Sequence, residues 1–323
     1  MSYAGYIKRI PVTMYRRQRR GGSGVTGAGI RDDEDFIAHL FLASTHDTIL
    51  FFTNTGRVYW RKAYEIPQAS RQARGKAVVN LLSLRPEERI SSFLQVKEFN
   101  DKQYVVMVTK NGVIKKTNLI HYSRPRSNGI AAITLREKDE VMACKLTTGK
   151  DEIFLATYEG KAIRFPEKQV RDMGRTATGV RGVNLAKKDR VIAMELVNRD
   201  ATALSITELG FGKKTKFKEY RLQSRGGKGI INVKVTPKNG KVVNVLTVQD
   251  EDEIIIVTTG AMVVRCPVNQ IRTSGRNSMG VRVIRLKDNH RVASAVRVVE
   301  KEESEDASQL ELPAESKKKK NEG

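Results

Sequence analysis

Short apolar runs alternate with turn clusters along most of the chain, at Thr48–Thr53, Tyr104–Thr109, Glu152–Thr157, Ala203–Thr207 and Glu253–Thr258. Their content of Val, Ile, Phe and Thr predicts strands. Each run closes on a turn glycine, as in Asn54–Gly56, Lys110–Gly112, Tyr158–Gly160, Glu208–Gly210 and Thr259–Gly260. Glycine supplies a positive φ without a Cβ clash, so these turns predict hairpins. No window keeps apolar residues at i, i+3, i+4 and i+7 over three turns, which leaves no helix to expect.

The hairpin glycines recur as Gly5, Gly56, Gly112, Gly160, Gly210 and Gly260, and a second set follows about twenty residues later as Gly24, Gly75, Gly129, Gly179, Gly229 and Gly280. Each set advances by 48 to 56 residues per step, so one supersecondary unit is copied six times. After each hairpin comes a loop rich in Arg, Ser, Gln and Gly, then two further apolar segments such as Gly229–Val235 and Val242–Val248. That makes about four antiparallel strands per copy, the content of one propeller-type blade. An all-β, six-bladed, propeller-like body over residues 1–299 is therefore expected. The remainder, 300–323, is almost without apolar residues and reads as a disordered charged tail.

Charge narrows the partner. Lysine and arginine number 59 against 36 acidic residues, for a net charge of +23, and the tail holds eight carboxylates to five lysines, so the body is more basic than the whole. An anionic polymer is the expected ligand. No apolar run approaches a membrane span and no signal peptide opens the chain, so a cytoplasmic location is expected.

The hairpin strand carries a cation in every copy: Lys8 and Arg9, Arg61 and Lys62, Lys115 and Lys116, Arg164, Lys213 and Lys214, and Arg265. Strand residues alternate between faces, so each pair is expected to turn one charge outward, making the same edge of every blade positive. Such a ladder suits a polyphosphate backbone. The competing reading, cations that keep exposed edges from aggregating, weakens when six copies match. The second loop adds Arg74, Arg126, Arg175 and Arg276, and in two copies it becomes glycine-rich: Gln18, Arg19, Arg20, Gly21, Gly22, Ser23, Gly24 in the first, and Gln223, Ser224, Arg225, Gly226, Gly227, Lys228, Gly229 in the fifth. Adjacent glycines let backbone amides approach a phosphate, with guanidiniums beside them, so these loops read as anion cradles.

Other chemistry is thin. Cys144 and Cys266 lie in apolar runs and read as small buried hydrophobes. His39, His46, His121 and His290 lack metal-ligand spacing, and Asp32–Asp35 reads as a solvated turn. Tyr59, Trp60 and Tyr104 fit blade packing. No nucleophile, paired carboxylates or phosphate-binding loop before a helix suggests catalysis, and no cofactor is expected for this unit. Sparse aromatics argue against single-stranded stacking.

The segment Gln18–Gly24, inside six repeats, resembles the seven-residue gyrase box of the DNA gyrase A C-terminal domain, with Ser23 departing at the sixth position. The resemblance extends to about Val299. It implies a β-pinwheel, a propeller-like disc whose blades exchange strands, with double-stranded DNA bent around its rim to give the chiral wrap that strand passage turns into negative supercoils. It implies a non-catalytic, monomeric part of an enzyme that uses ATP and magnesium. This part would be joined to the rest of gyrase A, which in turn assembles with gyrase B as an A2B2 holoenzyme. The box would anchor the wrap and close the first blade onto the sixth. Two alternatives stand beside it: the C-terminal domain of topoisomerase IV, which would lack a recognisable box, and a protein-binding propeller, which would show aromatic hot spots.

Overall fold

The computed structural model describes residues 1–2, 4–11, 43–70, 73–260, 262–286 and 290–298. Among these, every long element is a strand, and the only helical pieces are single 3-10 turns. The first repeat contributes β1 (Tyr6–Ile7). The second holds β2 (Thr48–Thr53), β3 (Arg57–Lys62), β4 (Lys76–Ala77) and β5 (Ile90–Val96). The third holds β6 (Tyr104–Thr109), β7 (Val113–Asn118), β8 (Ile130–Ala131) and β9 (Val141–Thr147). In the fourth lie β10 (Glu152–Thr157), β11 (Lys161–Pro166), β12 (Val180–Arg181) and β13 (Val191–Leu196). The fifth has β14 (Thr202–Thr207), β15 (Phe211–Lys216), β16 (Ile230–Ile231) and β17 (Val242–Val248), and the sixth β18 (Glu253–Thr258), β19 (Val263–Pro267), β20 (Val281–Arg282) and β21 (Val292–Val298).

The sheets do not follow repeat boundaries. Four of them have four strands, in the orders β5-β2-β3-β8, β9-β6-β7-β12, β13-β10-β11-β16 and β17-β14-β15-β20. Each takes its fourth, two-residue strand from the next repeat along the chain. A three-stranded sheet β21-β18-β19 and the pair β1-β4 complete the described set. The sequence pattern by itself places all four strands of a blade within its own repeat; the third is instead exchanged with the neighbouring sheet, as the family resemblance implied. The long strands β5, β9, β13, β17 and β21 pack on one another from sheet to sheet around the centre, which leaves the exchanged strands outermost.

The two glycine sets make this exchange possible. In the second to fifth repeats the first hairpin strand ends in a threonine whose Oγ1 accepts the N–H of the residue after the glycine, 3.1 Å for Thr53 with Arg57 and 3.1 Å for Thr109 with Val113. The glycine between adopts φ near +80°, and its carbonyl accepts from the next repeat, as Gly160 O does from Asn232 N–H at 2.8 Å. The second glycine stands where an exchanged strand meets its host: a Cβ on Gly229 would lie 2.6 Å from Ala162 O, and one on Gly179 2.6 Å from Ile114 O. Both positions also have positive φ, so two independent constraints select glycine.

Apolar cores lie at the seams between neighbouring repeats. One joins the second and third repeats through Phe52, Trp60, Met107 and Tyr122; another joins the fourth and fifth through Phe154, Phe217 and Tyr220. Tyr59 and Trp60 are buried as their strand pattern suggested, while Tyr104 is half-buried under Lys116. Cys144 is buried and free; Cys266 is free and half-buried.

Candidate nucleic-acid interface

A hairpin strand such as β7 is third in its sheet, covered at one edge by an exchanged strand and on both faces by neighbouring repeats. Alternation therefore turns its lysines from one packed face to another. Lys115 and Lys213 have 0 % and 1 % of their surface exposed, and Lys116 and Lys214 are buried beside them. The outward ladder expected from the sequence is corrected for these four residues. Lys115 Nζ donates to Ala132 O at 2.6 Å and to Arg175 O; Lys213 Nζ donates to Gly275 O at 2.8 Å and Arg276 O at 2.5 Å. Lys116 faces the buried Glu167 carboxylate at 3.8 Å, and Lys214 meets Asp250 at 2.5 Å. Burial, with the Arg175 guanidinium adding to it, lowers Lys115 to about 7. Burial and Arg276 lower Lys213 to about 8.

The other strand cations are partly engaged. Lys8 Nζ donates to Ser70 O and Ala73 O, and burial lowers its pKa. Arg9 donates to Ile66 O, Arg61 to Leu81 O, and Lys62 to His46 O. Arg164 binds Glu152 and two carbonyls of the following repeat, those of Phe217 and Tyr220, and the exposed Arg265 pairs with Glu253.

The loop arginines form a second regular series. Arg175, Arg225 and Arg276 each donate through Nη1 to the exchanged strand of the preceding repeat, at Ala131 O, Arg181 O and Ile231 O. Arg74 lies 4.0 Å from the Tyr6 ring, and Arg126 and Lys228 are exposed. In the fifth repeat the glycine-rich loop is a clasp. Gly226 N–H donates to Gly182 O at 2.8 Å, Gly227 N–H to Ser224 O, and Arg225 N–H to Gln169 Oε1 at 2.6 Å. With those amides occupied, the anion-cradle reading of this loop is corrected; its charge reaches outward through side chains. Gln18, Arg19, Arg20, Gly21, Gly22 and Gly24 lie outside the described residues, as does the tail.

Several exposed cations were not singled out from the sequence. Arg171, Arg221 and Arg272 each stand eight residues before a second glycine, in the turn that leads to the outermost strand, while Arg181 and Arg282 stand on that strand two residues after the glycine. The signal was present as a second phase of the repeat, displaced from the hairpin phase that drew attention first.

A family model described as "DNA gyrase C-terminal domain, beta-propeller" matches residues 1–44, 47–97, 103–148, 151–198, 202–249 and 252–298. The chain belongs to this family. DNA gyrase A of Salmonella typhimurium is 44 % identical over 306 residues, covering 95 % of this chain and 35 % of the relative. DNA gyrase A of Staphylococcus aureus is 44 % identical over 309 residues, covering 95 % and 34 %. The chain thus spans about a third of the length of these gyrase A relatives. Among solved structures, the C-terminal domain of DNA topoisomerase IV superposes with a TM-score of 0.77 at 27 % identity, covering 92 % of this chain and 91 % of that one. A DNA gyrase A C-terminal domain also gives 0.77, at 25 % identity, covering 93 % and 98 %. The propeller arrangement of this gyrase-family chain, with its antiparallel four-stranded blades, agrees with both.

Proposed function

We propose that this gyrase-family domain wraps duplex DNA, without reading its sequence, around a basic rim made by the exchanged strands and the turns before them. The observation that carries the proposal is that Arg171, Arg181, Arg221 and Arg272 are exposed at the outer edge of successive blades, their side chains without a hydrogen-bond or ion-pair partner among the described residues. Smooth bending of a 20–30 base-pair site costs on the order of 1–6 kcal/mol, so no single contact suffices. Cations on several blades must act together, and counterion release at each phosphate supplies the affinity.

The same reading completes the ring: six blades, with the box segment of the first repeat closing it against the sixth. As part of a gyrase A protein, the domain would deliver the wrapped duplex with one crossing sign to the enzyme's cleavage gate. ATP, magnesium, gyrase B and the A2B2 assembly belong to that larger enzyme, in the bacterial cytoplasm. Ligation of nicked circular DNA with and without the domain tests the proposal. A linking change of one sign, proportional to bound protein, is expected; binding that leaves the linking number unchanged would reduce the domain to a non-wrapping cation surface.

A further inference from the structure

The outer edge changes character from repeat to repeat. The stretch from the 3-10 turn to the exchanged strand lies along the hairpin strand of the preceding sheet. Met173 N–H donates to Lys116 O at 2.9 Å, Gln223 N–H to Arg164 O at 2.9 Å and Ser274 N–H to Lys214 O at 2.8 Å. Ala69 N–H reaches Arg9 O at 3.2 Å in the second repeat, and in the third Arg57 Nη2 donates to Asn128 O at 2.6 Å. This outermost stretch is therefore comparable across the second to sixth repeats.

Four of its positions can be matched in chain order. The second residue of the 3-10 turn is Tyr64, Ile120, Lys168, Lys218 and Asn269, exposed each time. The residue after the buried one that ends the turn is Pro67, Ser123, Arg171, Arg221 and Arg272. The second residue of the exchanged strand is Ala77, Ala131, Arg181, Ile231 and Arg282. The fifth residue after the second glycine is Asn80, Thr134, Asn184, Lys234 and Arg285, again exposed each time. The fourth, fifth and sixth repeats thus each place three exposed cations where the second and third place none. Acidic neighbours do not level the difference: Asp172 and Glu219 subtract one charge each from the fourth and fifth repeats, and Glu65 one from the second. Asp172 is also occupied, its Oδ1 accepting Asn118 N–H at 3.1 Å. The second and third repeats keep Lys76, Arg124 and Arg126, exposed in and beside their loops.

We propose that the rim is divided into a grip, the fourth to sixth repeats, which holds duplex DNA tightly, and a lay-down arc, the second and third repeats, onto which the same duplex bends reversibly. The inference rests on the wrapping reading and adds where the wrap starts and which side of it opens.

The order follows from two opposed terms. Laying duplex on a repeat costs bending, and it gains counterion release from every phosphate the repeat neutralises. That gain shrinks as salt rises, so bending wins first on the repeats with fewest cations. DNA therefore binds first at the grip, and the wrap unpeels from the second and third repeats. Tyr64 and Ile120, 54 % and 41 % exposed, stand where the grip has Lys168 and Lys218 and neutralise no phosphate. Occupancy of the lay-down arc then sets how much linking change each bound molecule gives, while the grip sets affinity.

Nicked circular DNA with the full chain, at stepwise rising salt, tests the division. Bound complexes are acetylated on lysine in one sample, and the nick is ligated in a parallel one. Lys76 reports on the second repeat, and Lys168, Lys218 and Lys234 on the grip; all four are exposed. Lys76 is expected to lose protection at a salt concentration roughly twofold lower than the other three. Linking change per bound molecule should fall in the same step, with protein still on the DNA. Ile120→Lys with Ser123→Arg and Thr134→Lys copies the grip pattern onto the third repeat. This variant should carry the linking change to higher salt and steepen log affinity against log salt by about 0.9 for each new phosphate contact. Simultaneous loss of protection at all four lysines, or a graft that leaves the salt range of the linking change where it was, would overturn the division and leave wrapping itself standing. A linking number unchanged at every salt would overturn wrapping instead, and the order in which the four lysines lose protection would still decide whether the rim is divided.

Discussion

At the scale of single residues, each recurring glycine and lysine does a different job from its immediate neighbours. The second glycines of the second to sixth repeats touch the backbone of the host strand, so a methyl group has nowhere to go. Gly229 has φ +70°, and a Cβ there would lie 2.6 Å from Ala162 O. The left-handed conformation alone costs a non-glycine residue about 1–2 kcal/mol, and the clash adds to it. Gly229→Ala is expected to destabilise the domain by at least that much, read from its urea unfolding curve. Gly174, whose substituted Cβ would meet nothing within 4 Å, is the matched control and should tolerate alanine with little loss. The lysines show why residue type alone misleads: Lys115 and Lys228 look equivalent as cations, yet one is sealed between repeats and the other is exposed.

At the scale of elements, stability resides at the seams, because the four-stranded sheets complete themselves with a strand from a neighbouring repeat. Phe154 on β10 is the clearest instance, enclosed with Phe217 and Tyr220 of the next repeat. Truncation to alanine removes the centre of that cluster, so Phe154→Ala should destabilise the domain by about 3–5 kcal/mol. Because the seam joins the fourth and fifth repeats, the loss should appear in calorimetry as one lowered transition for the whole body. The strands and their hairpin turns were legible in the sequence, since each depends on period and turn chemistry within a few residues. Strand exchange was implied only by the family resemblance and not by the pattern of the residues, because β12 or β16 is two residues long and pairs with a hairpin far behind it in the chain. Such a strand carries no periodicity; its one local mark is the glycine before it, which loop chemistry by itself assigns to anion binding.

For the whole molecule, function depends on which of the many cations face solvent. If wrapping uses the outer edge, replacing Arg181, Arg221 and Arg272 by alanine should lower the slope of log affinity against log salt by about 0.9 for each phosphate no longer neutralised. Lys115→Met and Lys213→Met remove as much formal charge per site and should leave that slope unchanged, since neither ammonium reaches solvent. Equal effects of the two sets would show that net charge, with no defined surface, governs binding.

The linear order of residues was enough to establish six copies of a β unit, the hairpins, the basic balance and the gyrase family likeness, because repeats, turn signals and charge are additive properties read off neighbouring positions. Only the tertiary structure decided which lysines are enclosed, which loops serve as clasps and which arginines remain outside. Burial depends on what packs against a strand from the next repeat, some fifty residues away, and alternation along one strand says nothing about how many of its faces are covered.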